Sequence, residues 1–141
     1  MSAVRSEIPS QRLLALIGFV GVCWLAGAVG RLSTPSDWYD GLHKPLITPP
    51  DWVFGMVWPI LYSLLGAAGW LVWDSGRRLR GVHATWAVLV GLNAAWPWLF
   101  FGMRRMDLAL VAIVVVLLAL ALLMWQCWSI RPVSSALLLP Y

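Results

Sequence analysis

Four long stretches of this chain carry no charged side chain, and every Asp, Glu, Lys and Arg lies outside them. They cover residues 13–30, 52–73, 84–103 and 108–130, which are 18, 22, 20 and 23 residues long. A helix of about 20 apolar residues crosses the hydrocarbon core of a bilayer, so each stretch predicts a spanning helix. A fifth apolar stretch opens at Arg131-Pro132, with Pro132 placed for a first helical turn. Residues 134–141 number only eight and make about 12 Å of helix, too little to cross. The expectation is a fifth helix that is missing or a stub.

Composition agrees with this pattern. The chain is 61% hydrophobic and 11% charged with a mean hydropathy of +0.80, against about 25% charged residues in soluble domains. This predicts an integral, multi-pass membrane protein with the bilayer as its main partner. The net charge of +4 reads as topology rather than nucleic-acid affinity. Six basic residues (Arg5, Arg12, Arg77, Arg78, Arg80, Arg131) oppose four (Arg31, Lys44, Arg104, Arg105), which favours a cytoplasmic amino terminus. The first stretch follows Arg5 and Arg12 and contains Ala26-Gly27-Ala28, as a cleaved signal would. It exceeds the usual 7–15-residue signal core, however, and heads a polytopic chain. Cys23 and Cys127 lie in separate spans, and with only His43 and His83 besides they support neither a disulfide framework nor a metal cluster.

The connections after the second and third spans are short, which predicts consecutive antiparallel neighbours. The segment 31–51 is different. It holds Pro35, Pro45, Pro49 and Pro50, and its Trp38, Tyr39 and Leu42 argue for an ordered loop. Because this loop feeds directly into the second span, residues 38–62 read as the mouth and wall of a pocket.

Eleven tryptophans need an explanation. Trp52, Trp70, Trp73, Trp86, Trp125 and Trp128 fall near span ends, where indoles belong in an interface belt. Trp58 and Trp96 lie roughly 9 and 18 Å inside their spans, and an indole N–H at that depth needs a partner. Tyr62 follows Trp58 by one turn and makes an aromatic ledge, which serves either core packing or a ligand. Asn93, Trp96 and Phe100 share one face of the third span. Asn93 is expected to make an interhelical hydrogen bond or to serve as a polar anchor in a ligand cavity. Ala87, Gly91 and Ala95 line nearly the opposite face as a small-xxx-small series, for close packing inside the bundle or for a homodimer. Pro59 is expected to kink the second span beside the ledge.

The absent chemistry narrows the function. No ionisable residue lies inside a span, where ion-coupled transporters and channels keep theirs. No paired carboxylates, Ser/His/Asp set or phosphate loop is present. A bundle that binds a hydrophobic ligand remains.

The pattern Trp38-Tyr39, Leu42, Lys44-Pro45, Pro49-Pro50, Trp52-Val53, Trp58, Leu61-Tyr62, Gly66 and Val72-Trp73 resembles the signature of the TspO/MBR family. That family comprises the translocator proteins, tryptophan-rich sensory proteins and peripheral-type benzodiazepine receptors. Asn93, Trp96 and Phe100-Phe101-Gly102 resemble its third helix, and Leu139-Pro140-Tyr141 resembles the start of its fifth. The resemblance implies an all-α, five-transmembrane-helix bundle, with the fifth helix truncated at residue 141. Its spans would be 13–30, 52–73, 84–103, 108–130 and the start of a fifth at 132–141, with 31–51 as the first loop.

It further implies a cavity under that loop for porphyrins such as protoporphyrin IX and haem, for sterols and for benzodiazepine-type ligands. No cofactor would be required, and porphyrin or haem would enter as ligand. Trp38, Lys44, Trp52, Trp58, Tyr62, Asn93 and Trp96 match the site positions, with Lys44 placed to pair with a propionate. A family dimer would use Ala87, Gly91 and Ala95. Leu46-Ile47 stand where many members carry an aromatic residue, which implies a weaker grip on a flat ligand. Trp58 is the position on which any light-driven porphyrin breakdown would draw, while its fifth-helix counterpart lies beyond Tyr141. Tyr141 matches the tyrosine of the family's sterol motif without the basic residue that follows. Three functions stay open: receptor or sensor, uncoupled tetrapyrrole or sterol translocator, and porphyrin-degrading enzyme.

Overall fold

Six helices organise the chain in the computed structural model, which describes residues 9–33, 37–77 and 79–141. Arg5, Arg78 and Pro35, used in the charge and loop readings above, lie outside the described residues. Helix α1 is Pro9–Arg31, the one-turn α2 is Asp37–Asp40, α3 is Asp51–Asp74, α4 is Arg80–Pro97, α5 is Met106–Trp128 and the short α6 is Pro132–Ala136. A π-helical turn, Trp98–Gly102, prolongs α4. Helices α1, α3, α4 with its π turn, and α5 are long and apolar enough to cross a membrane. No strand occurs among the described residues.

Start and stop chemistry follows local rules. Pro50 precedes α3 and Asp51 occupies its first turn, where a carboxylate complements the helix dipole. Pro132 opens α6 at a position whose N–H would be unpaired in any case. Pro59 lies inside α3, yet the helix runs through it as one element. Beside it, Ser63 Oγ donates to the Pro59 carbonyl at 2.7 Å and accepts the Trp24 indole N–H from α1 at 3.1 Å. That hydroxyl links α1 to α3 through Trp24, while the carbonyl that Pro59 leaves without its donor is that of Gly55.

Helix α1 packs along both α3 and α4, α4 packs along α5, and α6 lies against α5 and α3. The expected adjacency of consecutive spans therefore holds for α4 and α5, whereas α3 and α4 touch only sparsely. Glycines explain the insertion of α1. A Cβ on Gly66 of α3 would lie 2.6 Å from the Val20 Cα of α1, and one on Gly30 of α1 would lie 3.0 Å from the Pro97 ring of α4. Only bare backbone allows both approaches. The link out of α3 turns through Gly76 at φ +71°, a conformation that glycine adopts without strain.

Trp86 corrects the belt reading. It is buried, its ring lies over Gly69 of α3, and its Nε1 donates to the Leu65 carbonyl at 2.9 Å. Phe19 joins it edge-on at 5.1 Å and also meets Trp73 at 6.5 Å. By contrast Trp52, Trp125 and Trp128 are exposed at helix ends.

Burial along α3 changes abruptly. From Asp51 to Ile60 no residue is buried, whereas Leu61, Tyr62, Leu65, Gly66, Ala68, Gly69 and Val72 all are. Helix α6 covers this second half: the buried Ser134 donates to the Ala68 carbonyl at 2.7 Å, and Ser135 donates to the Met124 carbonyl of α5 at 3.0 Å. Asp74 closes the same end, pairing with Arg12 of α1 at 3.4 Å and with Arg131 before α6 at 3.7 Å.

Candidate functional site: an aromatic ledge and an aromatic lid

The first aromatic cluster is built from the end of the third span. Pro97 has no N–H to give the Asn93 carbonyl, and the turn that follows widens to π geometry, with Met103 N–H bonding the Trp98 carbonyl at 2.8 Å. This turn sends its aromatics in two directions. Trp98 donates its indole N–H to the Val29 carbonyl of α1 at 3.1 Å. Phe100 and Phe101 receive the loop: Trp38 meets Phe100 edge-on at 5.8 Å, and Tyr39 meets Phe101 at 5.3 Å. Trp96 stacks on Phe100 at 5.1 Å with 9° between ring planes, and donates to the Ala109 carbonyl of α5 at 3.0 Å.

Lys44 belongs to the same cluster. Its ammonium sits 3.8 Å from the centre of the Tyr39 ring and 3.4 Å from Asp40. Leu46 and Ile47 are fully exposed at the loop tip.

The ledge is separate. Trp58 and Tyr62 pack with ring centres 5.6 Å apart, and Tyr141 meets Trp58 edge-on at 6.3 Å. Tyr62 is seated because residue 27 is glycine, where a Cβ would stand 2.6 Å from its ring. Trp58 keeps about a third of its surface exposed. Tyr141 Oη is buried with no hydrogen-bond partner. A hydroxyl in that state costs about 1–3 kcal/mol until a partner arrives.

The structure thus divides the seven residues singled out from sequence. Trp38 and Trp96 meet through Phe100, with Lys44 attached through Tyr39, while Trp58 and Tyr62 form a second group with Tyr141. Trp52 stands exposed at the start of α3, outside both groups. Asn93 is buried, but its Nδ2 donates to the Leu89 carbonyl of its own helix at 2.8 Å, so the expected interhelical bond is not the one it makes. Sequence reasoning missed Tyr39, Phe100 and Phe101 as the seat of the lid. Their signal was present in Phe100-Phe101 one turn after Trp96. Ala87, Gly91 and Ala95 all lie exposed on α4, outside the bundle. Cys23 and Cys127 are buried and free, and no group of three potential metal ligands occurs among the described residues.

Four apolar helices of membrane length, with charges at their ends and aromatic side chains bonded across them, define a multi-pass helical membrane protein. The chain belongs to the TspO/MBR family, whose pattern it matches over residues 19–141. It is 36% identical over 126 residues to the tryptophan-rich sensory protein of Cereibacter sphaeroides, a match covering 87% of this chain and 77% of that one. The human translocator protein is 40% identical over 111 residues, covering 74% of this chain and 64% of the human one. The tryptophan-rich protein TspO of Archaeoglobus fulgidus is 36% identical over 126 residues, covering 89% and 78%.

Proposed function

We propose that this protein is a membrane receptor or sensor for flat hydrophobic ligands, porphyrins foremost, held against the Trp58–Tyr62 ledge beneath the loop between α1 and α3. The observation that carries the reading is the ledge itself: two packed rings, one of them partly open, beside the unpartnered hydroxyl of Tyr141. An apolar platform with a few convergent polar groups is the usual form of a small-molecule site. The relatives called tryptophan-rich sensory protein and translocator protein support the same role. Trp38, Trp52 and Trp96 complete the aromatic surround in this proposal. Sterols and benzodiazepine-type drugs are further candidates for the same surface.

Of the two polar groups, only one must change partner to take part. Asn93 can keep the Leu89 carbonyl, because its Nδ2 carries a second hydrogen and its Oδ1 can accept. Lys44 has to leave Asp40 and Tyr39 to meet a propionate. That exchange costs little, because an exposed ion pair is worth about 0–1 kcal/mol.

The proposal includes the five-helix bundle of the family, with Pro132–Tyr141 as the opening of the fifth helix, and a homodimer across Ala87, Gly91 and Ala95. A Cβ on Gly91 would meet nothing within 4 Å, which leaves that face free for close approach.

Titration of reconstituted protein with protoporphyrin IX, followed by tryptophan fluorescence, tests the reading. Trp58→Ala is expected to weaken binding threefold to tenfold, matching the roughly 0.5–1.5 kcal/mol of an aromatic pair. Unchanged quenching in Trp58→Phe and Asn93→Ala together would sink the site. Uncoupled translocation is favoured by one feature, the lack of any charge within residues 52–73, 84–103 and 108–130. Uptake into vesicles without chemical change selects it, while product formed under light selects degradation and makes Trp58 its first suspect.

A further inference from the structure

A cavity lies where α3 and α5 end, away from the ledge and independent of the function proposed for it. It measures about 360 Å³ and is lined by Arg77 and Val82 on one side and by Trp125, Gln126, Trp128 and Ser129 on the other. That volume falls in the range of small-molecule sites, about 300–1,000 Å³. Its depth is fixed by the spans: α3 ends at Asp74, α4 begins at Arg80 and α5 ends at Trp128. The cavity therefore opens at headgroup level.

We propose that it holds the headgroup of an aminophospholipid, which carries a phosphate and a primary ammonium. Arg77 supplies the phosphate side. It has no carboxylate partner among the described residues, because Asp74 is taken by Arg12 and Arg131. A guanidinium binds phosphate through paired N–H groups.

Gln126 supplies the ammonium side. Its Oε1 is buried without a partner, so the amide turns toward the cavity to accept from an N–H or O–H donor. The exposed rings of Trp125 and Trp128 offer faces to a cation. Helix α5 has no basic residue in its last turn, so an ammonium there also complements the negative end of its dipole. A choline headgroup has no N–H for Gln126, and a glycerol headgroup has no cation for the tryptophans. The chemistry of both halves selects a primary ammonium beside the phosphate, which ethanolamine supplies.

Native mass spectrometry of delipidated protein, titrated with phosphatidylethanolamine, phosphatidylcholine or phosphatidylglycerol, tests this. One phosphatidylethanolamine is expected to be retained at about tenfold lower concentration than either other lipid. Arg77→Gln should weaken phosphatidylethanolamine and phosphatidylglycerol alike, whereas Gln126→Leu should bring phosphatidylethanolamine down to the level of phosphatidylcholine. Gln126→Glu keeps the shape, adds an acceptor charge and should widen the preference over phosphatidylglycerol. Equal retention of all three lipids by the unaltered protein overturns the proposal. So does displacement of the lipid by an equal concentration of soluble phosphoethanolamine, which would assign the cavity to a free headgroup. Both substituted residues lie away from the ledge, so protoporphyrin quenching that persists in the variants separates failure here from failure of the proposed function.

Discussion

Trp86, Trp96 and Trp98 each give their single N–H to a backbone carbonyl of another helix, Leu65, Ala109 and Val29 respectively. Helical carbonyls already accept one bond from within the helix, and their second lone pair takes the indole where no water competes. Trp86→Phe removes such a bond while keeping most of the space filled. It should lower stability by about 0.6–1.7 kcal/mol, the span seen for interhelical bonds in bilayers, read as thermal unfolding in detergent. Gly69→Ala attacks the same contact from below, placing a Cβ 2.7 Å from Trp86 Nε1, and should cost about 1–3 kcal/mol by overpacking. Sequence placed Trp86 in the belt because the charge-free stretch starts at residue 84. The helix starts at Arg80, which sets Trp86 about 9 Å inside it. Asn93 was legible as a buried polar residue, but its bond to Leu89 was not, since an amide can satisfy itself within one turn. Lys44 gives a residue-scale test of the lid: Asp40→Ala frees its ammonium and should tighten protoporphyrin IX several-fold while leaving its dimethyl ester unchanged, as measured by quenching.

Among elements, the long helices were legible because charge segregation marks them, and they run a few residues past the charge-free limits as helices do at an interface. The one-turn α2 and the π turn were not, since neither lasts long enough to show a period. Pro97 was the visible trace of the π turn, as a residue unable to donate inside a span. Pro59 carries the same missing N–H, here toward the Gly55 carbonyl, yet α3 continues through it as α-helix. Helix α6 is held by hydroxyls and charge more than by length. Asp74→Asn weakens its pairing with Arg12 and Arg131 and should loosen the start of α6 from α3. Cys127, 1% exposed and close to Ser134 of α6, then reports the change as faster labelling by a membrane-permeant maleimide.

For the whole molecule, α1 is the common neighbour of α3 and α4, and the outer face of α4 is left smooth by Ala87, Gly91 and Ala95. Gly91→Leu fills that face without touching the interior. If the proposed dimer uses it, the variant should run as a monomer in light scattering while keeping its unfolding temperature. The spatial order of the helices was not legible in the chain: adjacency in sequence predicts α3 along α4, whereas the two meet where Trp86 lies on Gly69 and α1 packs along both. One turn of backbone also ties distant parts together. Trp98 and Phe100-Phe101 are neighbours in the same π turn, yet one grips the end of α1 and the others seat the loop. The loop is therefore clamped at its middle to the third span as well as joined at its two ends to the first and second. Lifting it displaces rings whose backbone is shared with a fastening of α1. A ligand that parts Trp38 from Phe100 would therefore also load the Trp98 bond that fastens the end of α1.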